Sequence, residues 1–171
     1  MSGKLHKYFT EDHRRLDELL RIAIANPDTI DEGLYGQFRS GLLKHIAMEE
    51  KIVFPAAQRH RGGKPLPIAA KLRLDHGAIA ALLVPPPSRT IVAALGAILE
   101  QHDVLEEMPG GAYEVCEQLA ADELESVMDA IRRTPDGPAN PYNPNPSVLD
   151  ATRRALARAG YDLDDYQISE K

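Results

Sequence analysis

Apolar side chains recur along this chain at intervals of three and four residues, the spacing of one helix face, and strand-like alternation is scarce. The first stripe runs Phe9, His13, Leu16, Leu20, Ala23 and stops at Asn26-Pro27. The second runs Leu34, Phe38, Leu42, His45, Glu49, Ile52, Ala56 and ends before the turn-forming Arg61-Gly62-Gly63-Lys64-Pro65. The third runs Ile68, Leu72, His76, Ile79, Leu83. Pro85-Pro86-Pro87 breaks it, because proline has no N–H with which to continue a helix. The fourth runs Ile91, Leu95, Ile98, His102 and then Leu105 or Glu106. Ser88 or Thr90 is placed to cap its start, and Met108-Pro109-Gly110-Gly111 to kink or end it.

A further helical stretch, about 112–133, carries Val115, Leu119, Leu124, Val127, Met128 and Ile131. It either continues the fourth helix past a break or packs separately. From Thr134 to Pro146 the texture changes. Pro135, Pro138, Pro141, Pro144 and Pro146 predict an extended linker without a core of its own. Ser147 is placed to cap a last short helix, Val148 to Ala159, closed by Gly160. Its apolar face is thin: Leu149, Leu156 and Ala159. The acidic remainder, Tyr161 to Lys171, is expected to be loose at its end. Long helices joined by short turns predict an all-α fold: an up-down antiparallel four-helix bundle in residues 1–133. A proline-rich linker, an additional C-terminal helix and an acidic tail follow in 134–171.

Charge and composition narrow the function. The chain has 171 residues and a net charge of −6, which speaks against a nucleic-acid partner. It has a single cysteine, Cys116, so neither an internal disulfide nor a cysteine-rich zinc site can form, and its helical setting reads as packing. The opening residues lack the apolar core of a signal peptide, and no apolar run approaches a membrane span. The expected compartment is the cytoplasm, with no membrane partner.

Four of the six histidines, His13, His45, His76 and His102, lie inside the apolar stripes, one on each predicted helix. Two of them have a glutamate four residues on, His45 with Glu49 and His102 with Glu106, which puts each pair on one helix face. Buried carboxylates cost several kcal/mol or neutralise. A metal would accept lone pairs from all six groups, and this nitrogen–oxygen set suits iron, manganese or zinc. Two bridging glutamates with two histidines per metal would match a dinuclear centre. His6 and His60 read as solvated. Asp12, Asp75 and Asp103 adjoin ligand histidines, and the expectation is that they face water rather than anchor the imidazoles.

These residues together resemble the haemerythrin-like HHE cation-binding family over roughly residues 5–132. The segments that carry the likeness are Lys44-His-Ile-Ala-Met-Glu-Glu-Lys-Ile-Val-Phe-Pro55, Leu74-Asp-His-Gly-Ala-Ile79 and Gln101-His-Asp-Val-Leu-Glu-Glu107. The resemblance implies a non-haem di-iron centre inside a four-helix bundle, with two irons per chain and an oxo or hydroxo bridge within its reach. It implies a small gaseous or peroxide ligand: dioxygen, nitric oxide or peroxide. Oxygen-carrying relatives have a histidine where this chain has Leu72, and an aspartate five residues after the fourth-helix histidine rather than Glu106. The chain therefore looks more like the bacterial branch with two bridging glutamates, some members of which are linked to oxidative or nitrosative stress. The competing expectation is a helical regulatory or interaction module stabilised by zinc or a single metal. A protein partner would then bind through the C-terminal tail.

Overall fold

The computed structural model describes residues 3–137 and 140–168, and every regular element among them is helical. Helix α1 spans Lys4–Ala23, and its 3.6-residue stripe buries Leu5, Phe9, His13, Leu16 and Leu20. Helix α2 spans Glu32–Met48, started by Asp31, whose carboxylate accepts from the Leu34 N–H at 2.9 Å. A π-helical turn, Glu49–Val53, follows without a break and leads into α3, Phe54–His60. Pro55 sits at the start of α3, and the π-turn lies just ahead of this residue that cannot donate into an α-helical ladder. The wider turn also moves the inward position. The stripe predicts Ile52 inside, but Val53 and Phe54 are the buried residues.

Helix α4 spans Ala69–Leu82 and α5 spans Arg89–Glu107. Ser88 accepts from the Ile91 N–H at 3.2 Å, so of the two candidate caps it is the one used. The stretch beyond α5 does not continue it. It forms α6, Ala112–Leu119, a 3₁₀ turn, Ala121–Glu123, and α7, Leu124–Arg132. Helix α8, Pro146–Ala159, begins two residues earlier than the sequence pattern suggests. Asn145, not Ser147, is its cap, Pro146 takes the first turn, and Gly160 closes it in the left-handed region at φ 93°. Its buried face is Thr152, Ala155, Leu156 and Ala159, while Leu149 is exposed. No helix among the described residues is long and apolar enough to cross a membrane.

The chain divides into two compact units. The first comprises Met1–Ala70 with Asp103–Ala139. Here α1 packs on α2 and α6, and α6 packs on α3. Phe9, Phe38, Phe54, Tyr113 and Met128 lie in its core. The opening of the proline-rich segment is pinned on α2: Ser40 donates to the Gly137 carbonyl at 2.8 Å and Lys44 pairs with Asp136 at 3.1 Å. The second unit comprises Lys71–His102 with Asn140–Lys171. In it the Asn143 N–H donates to the Val84 carbonyl and Thr152 donates to the Ala81 carbonyl, so α8 is tied to the end of α4. Within the tail, Leu163 is buried in a 3₁₀ turn, Leu163–Tyr166. Pro138 of the proline-rich stretch and the last three tail residues lie outside the described residues.

Candidate metal centre

The first unit gathers His13 from α1, His45 from α2, Glu49 from the π-turn and Glu106 from the last turn of α5. All four are buried, and both glutamates are 0% exposed. One nitrogen or oxygen of each lies within 4.8 Å of the others. The second unit brings His76 and His102 together, with their Nε2 atoms 3.1 Å apart. Every ligand candidate from the sequence is therefore buried beside at least one other. His60 is exposed and pairs with Glu123, whereas His6 is half-buried and bonded to the Glu107 carbonyl, so only His60 is solvated as expected.

The imidazoles are anchored from behind. His45 Nδ1–H donates to Asp12 at 2.8 Å, and His13 Nδ1–H donates to Glu107 at 2.7 Å. In the second unit Asp75 is 0% exposed. It lies 3.4 Å from His102 Nδ1 and accepts from Lys71 Nζ at 2.6 Å. The expectation that these aspartates face water is thus wrong for Asp12 and Asp75, and Asp103 is turned inward too, its Oδ1 3.7 Å from His13 Nε2. A carboxylate next to a helical ligand histidine lies off the ligand's own face, but it can reach an imidazole on the neighbouring helix. Such anchors fix the tautomer, leaving Nε2 to point inward.

Two participants escape the periodic pattern. Glu107 follows Glu106 at the helix end and carries no stripe signal of its own. Tyr113 comes after the Met108–Gly111 turn, yet its hydroxyl lies against the whole first cluster. Its single proton lies between Glu49 Oε1 at 2.6 Å and Glu106 Oε2 at 2.8 Å, and the oxygen stands 3.1 Å from His13 Nε2 and 3.2 Å from His45 Nε2. The ring stacks on Phe9 with centroids 4.9 Å apart. Gly111 makes the turn. A Cβ there would stand 2.7 Å from the Glu106 and Met108 carbonyl oxygens. These are backbone atoms of the turn itself and cannot swing aside. Gly111→Ala is expected to cost about 1–3 kcal/mol, and a thermal melt of the metal-free chain reads it. An unchanged melting temperature would show that the turn relaxes freely.

The electrostatics separate the two histidines. Burial alone would strip His45 of its proton, but Glu49 and the Asp12 bond outweigh it and hold the pKa at about 10. Burial and the neighbouring His45 cation pull His13 down to about 4. His45 therefore donates from Nε2 to the His13 Nε2 lone pair at 2.9 Å. Burial, then Glu106 and Glu49, pushes the Tyr113 phenol well above its usual range. Burial also raises the Cys116 thiol to about 12, which leaves it inert as a nucleophile at neutral pH.

The donor set suits a cation. One phenol proton faces two buried carboxylate oxygens here, a crowding of anionic groups that a cation would relieve. The spacing also agrees. His13 Nε2 to His45 Nε2 is 2.9 Å, His45 Nε2 to Glu49 Oε1 is 3.3 Å, and His13 Nε2 to Glu106 Oε2 is 3.5 Å. An ion holding nitrogen and oxygen ligands at about 2.1 Å and at right angles separates neighbours by about 3.0 Å. Mixed imidazole and carboxylate ligation suits iron, manganese or zinc.

The described residues are all-helical and carry a buried histidine–glutamate cluster that could hold a metal ion. Residues 5–84 match the family model of the Hemerythrin HHE cation binding domain, so that stretch is similar to this family. The match includes His13, His45, Glu49 and His76 but ends before α5, short of the expected 5–132, so His102 and Glu106 lie outside it. No curated protein and no solved structure matches the chain.

Proposed function

We propose that this is a non-haem di-iron protein that binds or reacts with dioxygen, nitric oxide or peroxide. In this reading His13, His45, His76 and His102 supply the imidazoles, Glu49 and Glu106 bridge, and the helices carrying them form an up-down four-helix bundle. The observation that carries the reading is the convergence of His13, His45, Glu49 and Glu106 in a pocket from which water is excluded. Bound iron would supply a redox couple and an open position for a small ligand. The chain's own contribution is orientation. Asp12 and Glu107 hold the His45 and His13 rings, and Asp75 holds that of His102.

Elemental analysis of protein made in iron-supplemented cells tests this, paired with an absorption spectrum in air and after adding nitric oxide or peroxide. About two irons per chain, with a spectrum that responds to either reagent, is the expected result. One zinc per chain, or no metal after anaerobic reconstitution with ferrous iron, would overturn it. Function would then be sought in a helical interaction module with a partner surface on the C-terminal tail.

A further inference from the structure

Tyr113 stands in the wrong place for a residue that merely braces the carboxylates. Its oxygen touches four atoms from four residues, at 2.6 Å and 2.8 Å on Glu49 and Glu106 and at 3.1 Å and 3.2 Å on His13 and His45. A phenol has one proton and two acceptor lone pairs. It can accept from His45 and donate once. That leaves a second carboxylate oxygen sharing the same single proton, while the His13 lone pair beside it already accepts from His45. As a hydrogen-bonding pattern this is over-supplied with acceptors.

As one corner of a coordination polyhedron it is ordinary. All four distances lie close to the roughly 3.0 Å edge that neighbouring ligands of a small ion adopt. The oxygen stands over the place where the two imidazole nitrogens and two carboxylate oxygens converge. The residue is also fixed there. Tyr113 is fully buried, its ring is clamped on Phe9, and the tight turn at Gly111 delivers it from α5. All five side chains belong to the first unit.

From this geometry we infer that Tyr113 is a direct ligand, its phenolate oxygen joining His13, His45, Glu49 and Glu106 on one metal ion. The inference rests on the metal-binding reading above and adds a fifth residue to its ligand set. On ligation the Tyr113 O–H and the His45 Nε2–H bonds break heterolytically. Both protons leave to solvent as the ion enters, the oxygen and nitrogen lone pairs go to the metal, and no electron is transferred. A third anionic oxygen beside two carboxylates favours the ferric over the ferrous ion. It thereby biases the site against reversible dioxygen carriage and toward chemistry that starts from ferric iron.

The test uses the full chain loaded with ferric iron. Wild type is expected to show a broad visible phenolate-to-iron charge-transfer band and, under excitation into that band, the ring modes of a coordinated phenolate in its resonance Raman spectrum. Tyr113→Phe keeps the stacked ring and the fold, loses both signatures, raises the midpoint potential, and weakens iron binding in a chelator competition by about 10- to 100-fold. Iron-loaded wild type without phenolate modes would overturn the assignment whether or not the variant folds. So would a Tyr113→Phe protein whose spectrum superimposes on wild type. Wild type that takes up no iron fails differently: it removes the metal-binding reading, and the ligand assignment with it.

Discussion

Exchanging both buried carboxylates for amides, Glu49→Gln with Glu106→Gln, abolishes iron binding and leaves the metal-free chain at least as stable as before. Both side chains are 0% exposed. Taking two carboxylates out of water and holding both against one Tyr113 hydroxyl costs several kcal/mol. The amides fit the same space and still accept from Tyr113. The metal-free double variant should therefore melt no lower than wild type, because His45 keeps Asp12 as its partner. Metal reverses the order. An ion present at a thousand times its dissociation constant stabilises wild type by about 4 kcal/mol, and the double variant shows no such shift. Thermal melts with and without added ferrous iron under anaerobic conditions give all four values. A metal-free double variant that melts many degrees lower would mean that the carboxylates hold the fold together rather than wait for a cation.

That reversal separates a site from a scaffold, and much of the site is visible in the stripes. His13, His45, His76 and His102 occupy positions where an apolar residue is expected, and a polar residue in a core position needs a partner. Periodicity finds such residues because they share the face of their own helix. It is blind to groups that arrive from elsewhere. Asp12 serves His45, thirty-three positions away, and Glu107 serves His13 across ninety-four. Tyr113 reaches the cluster only because the turn after α5 doubles back, and the chain there reads as a helix end with nothing to aim. The π-turn at Glu49–Val53 is invisible for another reason. One extra residue in a turn leaves composition and helix propensity unchanged, and only the exchange of Ile52 for Val53 on the inside betrays it. The tail is the other partial reading. Its prolines exclude helix over 134–145, but they do not say that Gly137 lies on α2, where a Cβ would stand 2.6 Å from the Ser40 carbonyl.

The second large effect is expected at Lys71, which joins the tail to the histidine pair of the second unit. Its ammonium donates to Asp75 at 2.6 Å, to the Ala159 carbonyl at 3.1 Å and to the Tyr161 hydroxyl at 3.2 Å. One cation thus neutralises a fully buried carboxylate and caps the C-terminus of α8, where the helix dipole favours positive charge. Lys71→Met keeps the length of the stem but strands Asp75. Breaking a buried pair costs about 3–5 kcal/mol. The Lys71 side chain is 42% exposed, and water reaching the gap softens the loss to about 2–3 kcal/mol. The variant should melt roughly 4–12 °C lower. Burial would raise the Asp75 pKa, but the His102 bond and Lys71 outweigh it and hold the carboxyl below its usual value. The stabilisation is therefore complete above the ordinary aspartate range and is lost as pH falls through the depressed value. As pH falls below about 4 the gap between wild type and Lys71→Met should begin to narrow, and it closes only below the depressed value. Adding Asp75→Asn to Lys71→Met removes the stranded charge and should recover part of the stability at neutral pH, giving a non-additive double-mutant cycle. Strict additivity of the two changes, or a gap between the proteins that persists in acid, would mean that Lys71 acts through its contacts with Ala159 and Tyr161 alone and that the carboxylate behind His102 is held by other groups.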